Sequence, residues 1–165
     1  MSNAQFIIFE LEKQQYGIRI DFVNGINKLK DFLIYNVPNS PTFIEGIINL
    51  RGKVIPLYNL RKRFNLANNN ITKEDEILIA IVDDFMIGLI VNEVIDIVKI
   101  SDEDIEPTNR LFSNNIYSTF ISGIAKTNEH MIIILDVQKV LTAEEQDLVV
   151  PLIEGQNIEA INDKI

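Results

Sequence analysis

The chain contains no cysteine and a single histidine, His130. The absence of cysteine excludes disulfides, thiolate catalysis and cysteine-ligated metals, and it is typical of a reducing compartment. One histidine does not supply the several ligands of a zinc site, and we expect His130 to be a solvated group at a turn. The sequence has no Gly-x-Gly-x-x-Gly motif and no phosphate-binding loop. We therefore expect no metal and no cofactor.

Long apolar runs and excess basic charge are also missing. The most apolar region, residues 77–91, is interrupted by Asp83 and Asp84, and a bilayer span needs about 20 apolar residues. The N-terminus has no basic segment followed by an apolar core, the mark of a secretory signal. The formal net charge is −9, which disfavours nucleic acid and anionic membranes as partners. We expect a cytoplasmic protein without membrane insertion.

The residues that are present indicate an all-β fold with short helices. Hydrophobic residues make up 47% of the 165 positions, enough for a core without disulfides. Apolar runs separated by polar turns predict hairpins, and residues 59–64 predict a short basic helix or turn. The predicted strand pairs are 6–11 with 16–20, 46–50 with 54–58, and 77–82 with 87–91. Runs 77–82 and 131–135 are almost continuously apolar, which predicts strands covered on both faces.

The order of elements repeats once along the chain. A shift of 71 residues aligns Gly17 with Gly88, and a shift of 77 aligns Gly46 with Gly123. We therefore predict a single domain, residues 1–165, in which two small five-stranded barrels pack on each other. We place the first subdomain at about residues 5–70, the second at 74–142, and a C-terminal helix or tail at 143–165. The chain could also cross from one subdomain to the other.

Acidic residues cluster at two places that have structural explanations. Asp83 and Asp84 fall in a predicted hairpin turn, where aspartate is common, and neighbours on a strand point to opposite faces. Residues 101–104 resemble a helix start capped by Ser101, and Thr142 begins a capping box. We assign no catalytic residue. A small-ligand-binding or enzymatic barrel that uses the acidic turns remains the alternative from another functional class.

One cation stands at a defined place in the sequence. Arg51 and Gly52 occupy the turn between two predicted strands, and Gly52 suits the positive φ of a tight turn. Arg51 is either a solubility residue or a contact to a protein partner, because a guanidinium pairs two acceptors at once. The repeat replaces these residues by Asn128 and Glu129. The barrel does not need this turn chemistry, so we favour a docking role for Arg51.

The segment from Gly46 to Phe64 closely resembles the hallmark of the CheW family of chemotaxis coupling proteins. It reads Gly-Ile-Ile-Asn-Leu-Arg-Gly-Lys-Val-Ile-Pro-Leu-Tyr-Asn-Leu-Arg-Lys-Arg-Phe. Tyr16-Gly-Ile matches the start of the family pattern, and Gly88-Leu-Ile-Val-Asn-Glu-Val matches its second half. The resemblance covers about residues 5–145. It implies a CheW-like fold of two SH3-like five-stranded β-barrel subdomains, with neither catalysis nor a cofactor.

The resemblance also implies an adaptor that links the CheA histidine kinase, through its regulatory domain, to the cytoplasmic tips of methyl-accepting chemoreceptors. Such an adaptor is a monomer alone and joins receptor–kinase arrays at the inner face of the membrane. The residues expected to bind the receptor tip are Val23, Gly46, Asn49, Arg51 and Gly52. Ile44 and Ile48 are candidate walls of the receptor groove, although a core position is favoured for both. The kinase contact is placed only on exposed strand loops of the first subdomain.

Three positions depart from the family pattern. Gly25 stands near the place where family members often carry glutamate, so it cannot make an acidic contact. Asn59 and Asn92 stand where the family carries aspartate. These departures leave salt-bridge details open but not the fold. A CheW-like regulatory module of another two-component scaffold is an alternative function, and the charge disfavours a nucleic-acid-binding barrel.

Overall fold

The computed structural model describes residues 3–107, 120–127 and 129–140. Within them the chain is mainly β, as predicted. The strands are β1 Asn3–Leu11, β2 Gln14–Arg19, β3 Val23–Lys28, β4 Ile44–Leu50, β5 Lys53–Asn59, β6 Glu76–Val82, β7 Phe85–Val91, β8 Glu93–Ser101, β9 Ile105–Pro107, β10 Ile121–Lys126 and β11 Met131–Leu135. In the same residues one short α-helix, α1, spans Leu60–Arg63, and four 3₁₀ turns span Ile20–Phe22, Leu29–Asp31, Asp102–Asp104 and Val137–Lys139.

The predicted hairpins and the predicted helix at residues 59–64 are confirmed, with small shifts at their ends. The turn between β6 and β7 is tighter than predicted, because Val82 pairs with Phe85 and leaves only Asp83 and Asp84 in the loop. The predicted helix start at residues 101–104 is a 3₁₀ turn, with the hydroxyl of Ser101 accepting from the N–H of Glu103. The predicted helix after Thr142 and the tail at 143–165 lie outside the described residues.

The strands form two sheets with open strand orders. Sheet I has the order β8-β1-β2-β11-β10-β9, and sheet II has the order β3-β6-β7-β5-β4. Sheet I therefore has six strands, one more than the five predicted, because the three-residue strand β9 adds to its edge. Within the described residues no strand pairing joins the two outer strands of either sheet. The sheets also cut across the predicted boundaries 5–70 and 74–142, since each contains one hairpin from the other half.

The strand registers reproduce the sequence repeat. The β1–β2 and β6–β7 hairpins pair in the same register after a shift of 71, and the β4–β5 and β10–β11 hairpins do so after a shift of 77. The matching pairs are Ile8↔Gly17 with Ile79↔Gly88, and Gly46↔Leu57 with Gly123↔Ile134. The third strand of each half pairs with the first strand of the other half, β3 with β6 and β8 with β1.

Apolar side chains cover both faces of the central strands, as their continuous apolar runs predict. On β6, Leu78 and Ala80 point into a cluster shared by the two sheets, whereas Ile77 and Ile79 point into a cluster confined to sheet II. Sheet I has a corresponding cluster of its own that includes Phe6. The two sheets thus share one central core, flanked by an outer core on each side. No helix within the described residues is long and apolar enough to cross a membrane.

Candidate functional site

The turn that joins β4 and β5 has a single defined backbone conformation. Leu50 pairs with Lys53, so the loop consists of Arg51 and Gly52, with φ of 53° and 84° respectively. Two successive positive φ values are the signature of a type I′ turn, which matches the twist of the flanking strands. The Oδ1 atom of Asn49 accepts a 2.7 Å hydrogen bond from the N–H of Gly52. The positive φ predicted for Gly52 is confirmed, and Asn49 fixes the turn.

Arg51 itself also lies in the left-handed region, which the sequence did not predict. A side chain other than glycine is uncommon there, and the conformation is held by the paired strands around it. The Arg51 side chain is exposed, and among the described residues it has no acidic partner. The turn therefore presents a guanidinium at a fixed place, and none of the described acidic residues neutralises it.

Gly46 shapes the scaffold rather than the exposed turn. It is buried at an irregularity in β4, where its φ is 148°. A Cβ atom at this position would collide with the backbone carbonyl oxygen of Tyr35 and would lie 2.7 Å from Cγ2 of Ile34. Gly46 therefore lets the chain segment at Tyr35 pack beside β4, and any effect of this residue on binding is indirect.

The two candidate groove walls are core residues. Ile44 is 6% exposed and lies in the core shared by the sheets, and Ile48 is 1% exposed and lies in the outer core of sheet II. Neither side chain offers a surface, which corrects their assignment as groove walls in favour of the core position. Val23, at the start of β3, is partly buried against the shared core.

The Arg51 turn lies against β3. A cavity of about 130 Å³ has Arg51, Lys53 and the β3 residues Gly25 and Ile26 in its lining. The structure thus brings the turn next to the strand that begins at Val23. Neither Lys53 nor Ile26 was predicted as a site residue, and Gly25 was predicted only to depart from the family pattern.

The other groups considered for chemistry have structural partners. His130 is exposed at the β10–β11 turn, where its carbonyl accepts from the backbone and hydroxyl of Thr127. The N–H of Asp83 donates to Oε1 of Gln138, whose amide donates in turn to the carbonyl of Ile81. Within the described residues no group of three His, Cys, Asp or Glu side chains is arranged to hold a metal ion.

A second and more apolar cavity lies where α1 meets sheet I. Tyr16, Phe64 and Phe120 line it, and its volume is about 340 Å³. The rings of Tyr16 and Phe64 stack at 5.9 Å, and those of Phe64 and Phe120 at 4.8 Å. Burial raises the pKa of the Tyr16 hydroxyl above its usual range, so this group stays protonated at neutral pH.

Comparison with known proteins identifies the family. The family model for the CheW-like domain matches residues 5–145. The chain is 32% identical to chemotaxis protein CheW of Treponema pallidum over 145 residues, which is 86% of this chain and 84% of that one. It is 32% identical to chemotaxis protein CheW of Klebsiella aerogenes over 148 residues, 88% of this chain and 86% of that one.

A solved structure agrees with these matches. The scaffolding protein TtCheW from Thermoanaerobacter tengcongensis superposes with a TM-score of 0.77 and 35% sequence identity, covering 87% of this chain and 96% of that one. Because the family model spans most of the sequence and the relatives align over most of their own length, the chain belongs to the CheW family.

Proposed function

We propose that this protein is a non-catalytic adaptor of bacterial chemotaxis, which couples the CheA histidine kinase to the cytoplasmic tips of chemoreceptors. Its relatives are named chemotaxis protein CheW, and its structural neighbour is described as a scaffolding protein. The observation that carries the proposal is the Arg51 turn, an exposed guanidinium without an acidic partner among the described residues. A surface built to bind another protein accounts for it, and the fold itself does not.

The proposed receptor contact is centred on Arg51. Asn49 and Gly52 act by holding the turn in its type I′ conformation, and Val23 contributes from the adjoining strand β3. Gly46 acts only through the scaffold. The contact to the kinase regulatory domain is proposed on exposed strand loops of the first half. The protein is proposed to be cytoplasmic, monomeric alone, and recruited to the inner face of the membrane by receptor arrays.

The mechanism requires no chemistry in the adaptor. Two sheets that share one core present two surfaces at a constant separation, so two partners are held in register. Each contact can be weak on its own, because an array raises the effective concentration of its components. A receptor tip is a helical hairpin, which docks through side chains at helical spacing. A change in the receptor then reaches the kinase as a change in position.

Charge reversal at Arg51 tests the proposal. Arg51→Asp should weaken binding of a soluble receptor-tip fragment by about 2 kcal/mol, or about thirtyfold in Kd, because an exposed interface arginine is a typical hot spot. The free energy of unfolding should change by about 0.5 kcal/mol or less, since aspartate tolerates the left-handed backbone and the site is exposed. Titration calorimetry and urea unfolding measure the two quantities.

Arg51→Asn is the matched control for the backbone. Asparagine favours a positive φ, so this variant keeps the turn and removes only the charge. It should bind the tip more weakly than the wild type and more tightly than Arg51→Asp. Unchanged receptor affinity in Arg51→Asp, together with a large loss of stability, would make Arg51 a folding residue and exclude the docking role.

The adaptor role as a whole predicts a ternary complex. A mixture of this protein with the kinase regulatory domain and the tip fragment should form one.

A further inference from the structure

Gly25 is a glycine that the fold does not require. Its φ lies outside the left-handed region, and a Cβ atom added there would meet nothing closer than Nδ2 of Asn27 at 4.0 Å. The equivalent residue in the repeat is Asp96, which pairs with Ile8 as Gly25 pairs with Ile79. The same strand position in the other sheet therefore carries an acidic side chain without disturbing the pairing.

The missing side chain at Gly25 leaves an open notch. The cavity of about 130 Å³ lies between β3 and the Arg51 turn, with the buried Ile79 in its lining. A Cβ atom added to Gly25, which lines this cavity, would enter open space. The notch thus has room for one side chain from outside.

The charge of the notch has one sign. Arg51 and Lys53 line it, and no aspartate or glutamate among the described residues does. Both cations are exposed, and neither forms an ion pair with any residue that the structure describes. The second half of the repeat has the reverse distribution of charge. Asp96 stands at the position equivalent to Gly25, and Asn128 and His130 stand at the positions equivalent to Arg51 and Lys53. Two unpaired cations in a chain of net charge −9 are complementary to an anionic side chain of a partner.

We infer that the notch at Gly25 receives a carboxylate side chain of the receptor tip, which pairs with Arg51 and Lys53. The inference rests on the proposed function. An arginine pairs a carboxylate through two parallel hydrogen bonds, and the adjacent ammonium adds a second positive charge. Because position 25 carries no acid of its own, the partner supplies it. Gly25 thereby selects receptors by the charge of one tip residue.

A charge swap between the two proteins tests this inference. In a soluble receptor-tip hairpin from the same organism, each aspartate and glutamate is changed singly to lysine, and Kd is measured at fixed ionic strength. One of these changes should weaken binding to the wild-type chain about tenfold. Gly25→Glu should bind the unmodified tip about tenfold more weakly, because its own carboxylate occupies the notch. It should also restore binding of the lysine tip to within about threefold of the original pair.

Gly25→Gln is the matched control, since glutamine fills the same space without charge. It should leave the lysine tip weakly bound. The melting temperature of both Gly25 variants should stay close to that of the wild type, because the position is open. The inference is overturned if no acid-to-lysine change in the tip alters Kd more than twofold, or if glutamine restores binding as well as glutamate. If the wild-type chain binds no tip fragment, the proposed function fails and the inference falls with it.

Discussion

At the scale of single residues, Asn59 shows what an amide does that a carboxylate cannot. Its Oδ1 accepts from the N–H groups of Arg61 and Lys62 and caps α1. Its Nδ2 donates to Oε2 of Glu45 at 2.7 Å and to the carbonyl of Asn69 at 2.6 Å. An aspartate would cap the helix equally well, but it has no hydrogen to donate. The departure from the family pattern therefore adds two hydrogen bonds.

Asn59→Asp should destabilise the protein by about 2–3 kcal/mol. The substitution removes both donated bonds at a buried site and places a negative charge against Glu45. Urea unfolding measures the loss. Asn36→Asp adds the same charge at an exposed position and should change the free energy of unfolding by about 0.5 kcal/mol or less. Equal stabilities for the two variants would show that the amide of Asn59 contributes nothing as a donor.

The sequence could predict local features of this site but not distant ones. A two-residue turn between two strands requires a positive φ, so the role of Gly52 follows from its neighbours alone. The partners of Asn59 lie 10 and 14 residues away, and only the folded chain brings them together. The same holds for Ile44 and Ile48, because which face of β4 is covered depends on the packing of the whole sheet.

At the scale of elements, Tyr35 stands in for a strand that sheet II otherwise lacks. Its N–H and carbonyl both bond to Ile47, at 2.9 and 2.8 Å. In sheet I the equivalent place belongs to β9, where Glu106 pairs with Ile124. Sheet II thus follows the plan of sheet I, with its sixth strand reduced to one bridge. This bridge needs the close approach of backbone that Gly46 allows.

Gly46→Ala should therefore destabilise the protein by about 2 kcal/mol or more, since the added methyl group meets a backbone carbonyl and the φ is unfavourable for alanine. Gly25→Ala is the control, because its methyl group enters open space. It should leave stability unchanged or slightly raised. Thermal and urea unfolding of both variants measure the difference. Comparable stabilities would contradict the contact between position 46 and the carbonyl of Tyr35.

At the scale of the molecule, the two halves exchange their first hairpins. The sequence repeat identifies equivalent strands in the two halves, but it does not show whether a strand pairs within its own half or with the other half. The lengths of the loops between the strands decide the pairing. Between β7 and β8 the link is Asn92 alone, too short for a two-residue hairpin turn, so β8 enters the other sheet. Asn92 is held there by a bond from its N–H to the carbonyl of Glu10 and a bond from the N–H of Glu12 to its Oδ1. An aspartate would accept the second bond equally well.

Fragments cut at the boundary suggested by the repeat should not fold alone. Residues 1–72 contain β1 and β2 without the rest of sheet I, and residues 73–165 contain β6 and β7 without the rest of sheet II. Each fragment should show no cooperative thermal transition by circular dichroism, whereas an equimolar mixture should regain one. The control is the intact chain cleaved at a protease site inserted after residue 72, whose pieces should stay together. A cooperative transition in either fragment alone would contradict the exchange.

The hairpin exchange also has a mechanical consequence. Sheet II is built entirely from residues between two strands of sheet I, and the chain passes from one sheet to the other at Ile20–Phe22 and again at Asn92. Within the described residues the two sheets are therefore joined by two short covalent links and by the core that they share. We expect a force applied to one sheet to reach the other through these links and the packed core, because a close-packed interior has low compressibility.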